Sequence, residues 1–117
     1  MKSHKDLNVW NRSIELVITI YKVTKDFPKE ETYGLVSQMR RSVISIPSNI
    51  AEGAARHSKK EFRQFLYIAS GSVSELDTQL IICNKLILII DDSFRLINDE
   101  LSQIKKMLFG LLNSIKG

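Results

Sequence analysis

Between residues 62 and 87 the chain carries Phe62, Leu66, Ala69, Val73, Leu76, Leu80, Cys83 and Ile87, apolar or small side chains at alternating steps of four and three. That spacing keeps one face of a helix apolar for about four heptads, and a strand, whose faces alternate every two residues, does not produce it. Ser58-Lys59-Lys60-Glu61 in front has the S-x-x-E form of a capping box, which places the start of this helix at Ser58.

Three further helices follow from the same pattern. Asp91-Asp92-Ser93 supplies a turn and an N-cap, after which Phe94, Ile97, Leu101, Ile104, Leu108, Leu111 and Ile115 repeat the four-three alternation. Upstream, Leu7, Trp10, Ile14, Val17 and Tyr21 define a helix over about Asp6 to Asp26, stopped by Phe27-Pro28. Leu35, Met39, Val43, Ile46, Ile50 and Ala54 define another over about Glu31 to Ala55. Pro47 interrupts it and predicts a kink, with Ser45, Ser48 and Asn49 placed to satisfy the backbone groups that a proline frees. With only two prolines and five glycines, the chain has few other breaks. The connections are short, so each helix reverses on its neighbour. The expected fold is one all-α domain over residues 1–117, an antiparallel up-down-up-down four-helix bundle with its second helix kinked near Pro47.

The residues that chemistry requires are missing. Neither His4 nor His57 follows a glutamate at the Glu-x-x-His spacing of di-iron bundles, so no metal site is expected. No base stands in register with a serine or cysteine nucleophile, and no glycine-rich phosphate or dinucleotide motif occurs, so neither catalysis nor a cofactor is expected. Cys83 is the only cysteine; it lies on the apolar seam, reads as a core residue, and fits a reducing, cytoplasmic setting. The most apolar run, Leu80 to Ile90, is broken by Asn84 and Lys85 and is shorter than the roughly 20 residues a bilayer demands, so no membrane role is expected. Trp10, the tyrosines other than Tyr67 and the methionines read as core at helical spacing.

Charge is the remaining signal. Seventeen basic against thirteen acidic residues give +4, and the excess falls within residues 1–63, where a polyanion site belongs. Arg56, Lys59, Lys60 and Arg63, with Gln64 and Tyr67 one and two turns on, offer cations and a ring to a nucleic-acid strand; a solvated helix face is the simpler alternative. Arg40 and Arg41 pose the same choice, with Glu52 and Glu75 as competing partners inside the bundle. Ser48, Asn49 and Glu52, beside the kink, read as a buried polar network that sets helix register. Leu80 to Cys83 and Leu86 to Ile90 are apolar on nearly every side, more than one stripe needs, which points to self-association.

Several blocks together carry a resemblance: Leu7 to Trp10, Phe27-Pro28, Ser37-Gln38-Met39-Arg40-Arg41-Ser42, Ser45-Ile46-Pro47-Ser48-Asn49-Ile50-Ala51-Glu52-Gly53, Glu61-Phe62, Tyr67 to Ser72 and Glu75 to Leu80. Over nearly its whole length the chain resembles the 23S ribosomal RNA intervening-sequence protein family. The resemblance implies a non-enzymatic bacterial four-helix bundle, often a ring-like homopentamer, encoded within intervening sequences of large-subunit ribosomal RNA genes or elsewhere. That family is similar to the accessory variability protein of diversity-generating retroelements, a basic pentameric bundle that binds a reverse transcriptase and nucleic acid. Two functions are therefore expected to compete. One is a homo-oligomer that binds RNA or another nucleic acid through Arg40, Arg41, Arg56, Lys59, Lys60, Arg63 and Tyr67. The other is a scaffold that docks a reverse transcriptase or other protein partner.

Overall fold

The computed structural model describes residues 3–115, so the terminal residues of the 1–117 domain reading lie outside it. Four long helices account for most of the chain: α1 (Asn8–Thr24), α2 (Ser37–Ala54), α3 (Lys59–Lys85) and α4 (Asp91–Ser114), with no strand among the described residues. Each packs against its neighbours in chain order, and α1 closes on α4, giving an all-α body 45 × 24 × 19 Å. At about 1.5 Å per residue, α3 alone runs nearly the full long axis.

Periodicity places the core correctly on three helices. Met39, Val43, Ile46 and Ile50 of α2, Leu66 to Cys83 of the α3 seam, and Ile97, Leu101, Ile104 and Leu108 of α4 are all buried. Cys83 lies against Met39, Sγ to Sδ 3.3 Å, as the core reading requires. On α1 the buried line is Val9, Ser13, Leu16, Ile20 and Thr24, while Trp10, Ile14 and Val17 flank it half-buried and Tyr21 is exposed. Two polar residues thus occupy core positions. Both are short enough to return their hydroxyls to the helix backbone, Ser13 to Trp10 O at 2.8 Å and Thr24 to Ile20 O at 2.7 Å, so neither is left unsatisfied.

Helix ends differ from expectation in four places. The second helical segment opens as a 3-10 turn (Lys29–Glu31) and a π turn (Thr32–Val36), with Gly34 at φ −107°, ψ −105°, before α2 proper begins; α2 then spans Pro47 as one assigned helix. At Ser58 half of the capping box forms. The Ser58 hydroxyl accepts from the Glu61 amide at 3.1 Å, but the Glu61 carboxylate accepts a hydrogen bond from that hydroxyl instead of reaching the Ser58 backbone. The α3 seam ends at Cys83, because the helix stops at Lys85 and Ile87 turns out at φ +58°, 87% exposed. The Leu88 amide donates to Cys83 O at 2.9 Å and the Ile87 amide to Asn84 O at 3.1 Å, the paired bonds of a Schellman turn, with a β-branched residue where glycine is usual. Asp91 and Asp92, expected in the next turn, form the first residues of α4.

Candidate nucleic-acid interface

Three of the six candidate cations are engaged within the chain. The Nη1 of Arg63 donates to the carbonyl oxygens of Leu112 and of Ile115, the latter at 2.7 Å, and so satisfies the C-terminal turn of α4, while its Nη2 lies 3.4 Å from the Tyr67 hydroxyl. Arg40 does the same for α1: Nε donates to Thr24 Oγ1 at 3.1 Å, Nη2 to Tyr21 O at 3.3 Å, and the guanidinium lies 4.3 Å from the centre of the Tyr21 ring. Arg56 pairs with Glu52 at 2.7 Å and lies 5.0 Å from the centre of the Phe65 ring. In each case a cation stands near a helix end whose carbonyls carry partial negative charge, or near a carboxylate.

Arg41, Lys59 and Lys60 are exposed and make no ion pair among the described residues. Lys59 and Lys60 open α3, beside the exposed Gln64 and Tyr67, whereas Arg41 lies on the first half of α2. Neither Arg40 nor Arg41 takes Glu52 or Glu75. Glu52 holds Arg56, and Glu75 accepts from the Ser42 hydroxyl across the α2–α3 contact.

The polar network sits one helix turn from its expected place. Ser45 and Ser72 join α2 to α3 through their hydroxyls at 2.8 Å, and the Asn49 amide donates to both the hydroxyl and the carbonyl of Ser45, each at 2.8 Å. Asn49 therefore belongs to the network, but Ser48 and Glu52 are exposed and outside it. The serines facing one another from α2 and α3 are short enough to bond only where the two helices come close, and that approach is not visible in either segment alone.

The tyrosines read as core are not core. Tyr33 is 96% exposed on the π turn and Tyr21 stands at the surface, and with Arg40 and Arg41 they line an open groove of about 380 Å³ between the end of α1 and the start of α2. One sequence signal was available: Tyr33 falls outside the line Leu35, Met39, Val43 that marks the buried face.

Burial, with Glu31 nearby, pushes the Cys83 thiol up to about 11, so it is held as a neutral thiol. Among the described residues no three His, Cys, Asp or Glu side chains gather as metal ligands, and no helix is long and apolar enough to cross a membrane.

Sequence comparison decides the family. A model described as 23S rRNA-intervening sequence protein matches residues 5–110. The chain belongs to that family. Among solved structures it is similar to a protein of unknown function from the S23 ribosomal protein family of Bacteroides thetaiotaomicron, with 25% identity, 90% of this chain and 95% of that one covered, and a TM-score of 0.83. No curated protein matches. Family membership and fold thus agree, over a span that includes α1, α2, α3 and most of α4.

Proposed function

We propose that the chain is a non-enzymatic, cytoplasmic subunit of a homo-oligomer, a pentamer by the family resemblance, in which the helices alternate up-down-up-down and α2 bends at Pro47. One observation carries this reading: α3 has a second seam on the side away from its core. Tyr67, Gly71, Ser74 and Thr78, followed by Ile81, repeat at steps of four and three, and all are exposed. That is the spacing of a helix-packing stripe, with small residues at its centre for close approach and large ones at its ends for burial. Ile68 and Ile82, 51% and 42% exposed, widen both ends. Light scattering at about 50 μM tests the proposal. A Cβ at Gly71 meets open space, so Gly71→Arg folds as a subunit and should run as a monomer. A monomeric wild type sinks the reading.

A second function is supported by Arg41, Lys59 and Lys60, which have no anionic partner among the described residues of a chain of net charge +4. On this reading the oligomer binds RNA or another nucleic acid, in a complex that weakens steeply with salt. A gel-shift series at low salt with ribosomal RNA fragments tests it, and no complex at any concentration refutes it. A scaffold for a reverse transcriptase or another protein instead predicts partner capture indifferent to charge reversal at Lys59 and Lys60.

A further inference from the structure

We infer that the groove between α1 and α2 holds one nucleotide unit of a single strand, its base on Tyr33 and its phosphate on Arg40 and Arg41. This rests on the nucleic-acid reading above and adds to its Arg40 and Arg41 a residue that the charge pattern did not indicate, Tyr33, and a groove that joins the three.

The lining determines the charge of the occupant. Tyr21, Tyr33, Ser37, Arg40, Arg41 and Ile44 contribute two guanidinium groups and several hydroxyls, and among the described residues no carboxylate lines the groove. Adjacent arginines with no acid between them create a positive potential that a phosphate relieves. Arg40 is already held for this. Its bonds to Thr24 and Tyr21 use Nε and Nη2 and fix the side chain over the Tyr21 ring, while Nη1 makes no bond among the described residues. A guanidinium held in place loses little further freedom when an anion arrives. Arg41, exposed and with no ion pair among the described residues, supplies the second cation.

Tyr33 selects among the anions. The π turn carries it off the buried face of the segment and leaves its ring 96% exposed at the edge of a cationic groove. A carboxylate or a free phosphate would use the arginines and leave that ring idle, whereas a nucleotide uses both. Stacking requires a base free of its own neighbours, which favours a single strand over a duplex. The volume, about 380 Å³, lies at the low end of the roughly 300–1,000 Å³ of small-ligand sites and suits one unit of a chain.

Fluorescence anisotropy with a labelled mixed-sequence RNA of about ten nucleotides, at low salt, tests the inference. Tyr33→Ala should weaken binding about tenfold, as expected when one stacked base is lost, and Tyr33→Phe should bind like wild type because the ring remains. Arg41→Gln should reduce the slope of log affinity against log salt by about 0.7. Tyr33 makes no interior contact of consequence, so its variants keep the wild-type circular dichroism. If wild type binds and Tyr33→Ala binds equally well, or duplex RNA competes as well as single strand, the groove assignment is overturned while the nucleic-acid reading stands. If wild type binds neither, both fall.

Discussion

Replacing Arg63 by methionine should destabilise the fold by about 2 kcal/mol. The final carbonyls of a helix have no partner within it. In α4 those of Leu112 and Ile115 receive Nη1 of Arg63, from a residue 49 positions away in one case and 52 in the other. A hydrogen bond from a charged donor contributes about 1.5–3 kcal/mol net, and a cation at a helix C-terminus about 0.3–1 kcal/mol. One nitrogen serves both carbonyls, so the terms overlap and the lower part of their combined range applies. Methionine retains the apolar stem, which keeps the packing loss small. For 117 residues, with an unfolding entropy of about 2.1 cal/mol/K per residue, 2 kcal/mol lowers Tm by about 8 °C. Urea unfolding at one fixed protein concentration, with unchanged m, measures it. Arg63→Lys should recover only part, since an ammonium lacks the planar fork. Stability within about 0.5 kcal/mol of wild type, together with lost RNA affinity, would show that Arg63 is a surface cation and that the cap contributes nothing.

Ile87→Gly should raise stability by about 0.5–1 kcal/mol in urea melts, because it removes a left-handed penalty of about 1–2 kcal/mol at a side chain already 87% exposed, offset in part by the greater freedom of glycine when unfolded. Gly53→Ala should lower it by about 1–2 kcal/mol: the new Cβ would stand 2.7 Å from Phe65 Cβ and 3.2 Å from Phe62 O. Gly110→Ala, which meets open space, should instead gain about 0.5–1 kcal/mol by helix propensity in the same assay. Cys83 makes stability depend on pH. The native thiol keeps its proton up to about 11, while the unfolded thiol loses it near 9.0, so the unfolded state binds fewer protons between those values and stability falls as pH rises through them. Melts at about pH 8 and pH 10.5 should show that decline in wild type, with the part due to the thiol gone in Cys83→Ala.

How far the fold was legible varied with the kind of signal. The seams of α3 and α4 were readable because every fourth and third side chain is apolar, and no other structure buries that set. The α1 stripe was read one line off, since Ser13 and Thr24 occupy core positions with hydroxyls satisfied by their own helix. The seam runs two residues past the end of α3 at Lys85: Ile87 continues the apolar count, and nothing local announces that it adopts a positive φ.

The candidate surface was less legible. The sequence alone determined that the chain is helical, where its main helices lie, which faces most of them bury, and that its excess positive charge lies in the first half. Only the tertiary structure decided which cations are occupied and which remain available. Arg40, Arg56 and Arg63 look alike in the sequence, yet one completes α1, one meets Glu52 and one caps α4, while Arg41, Lys59 and Lys60 meet no acid among the described residues. The physical reason is range. Apolar periodicity is a local property that accumulates along a helix, whereas the partner of an arginine is whatever packing brings within a few ångströms, here a carbonyl some fifty residues away.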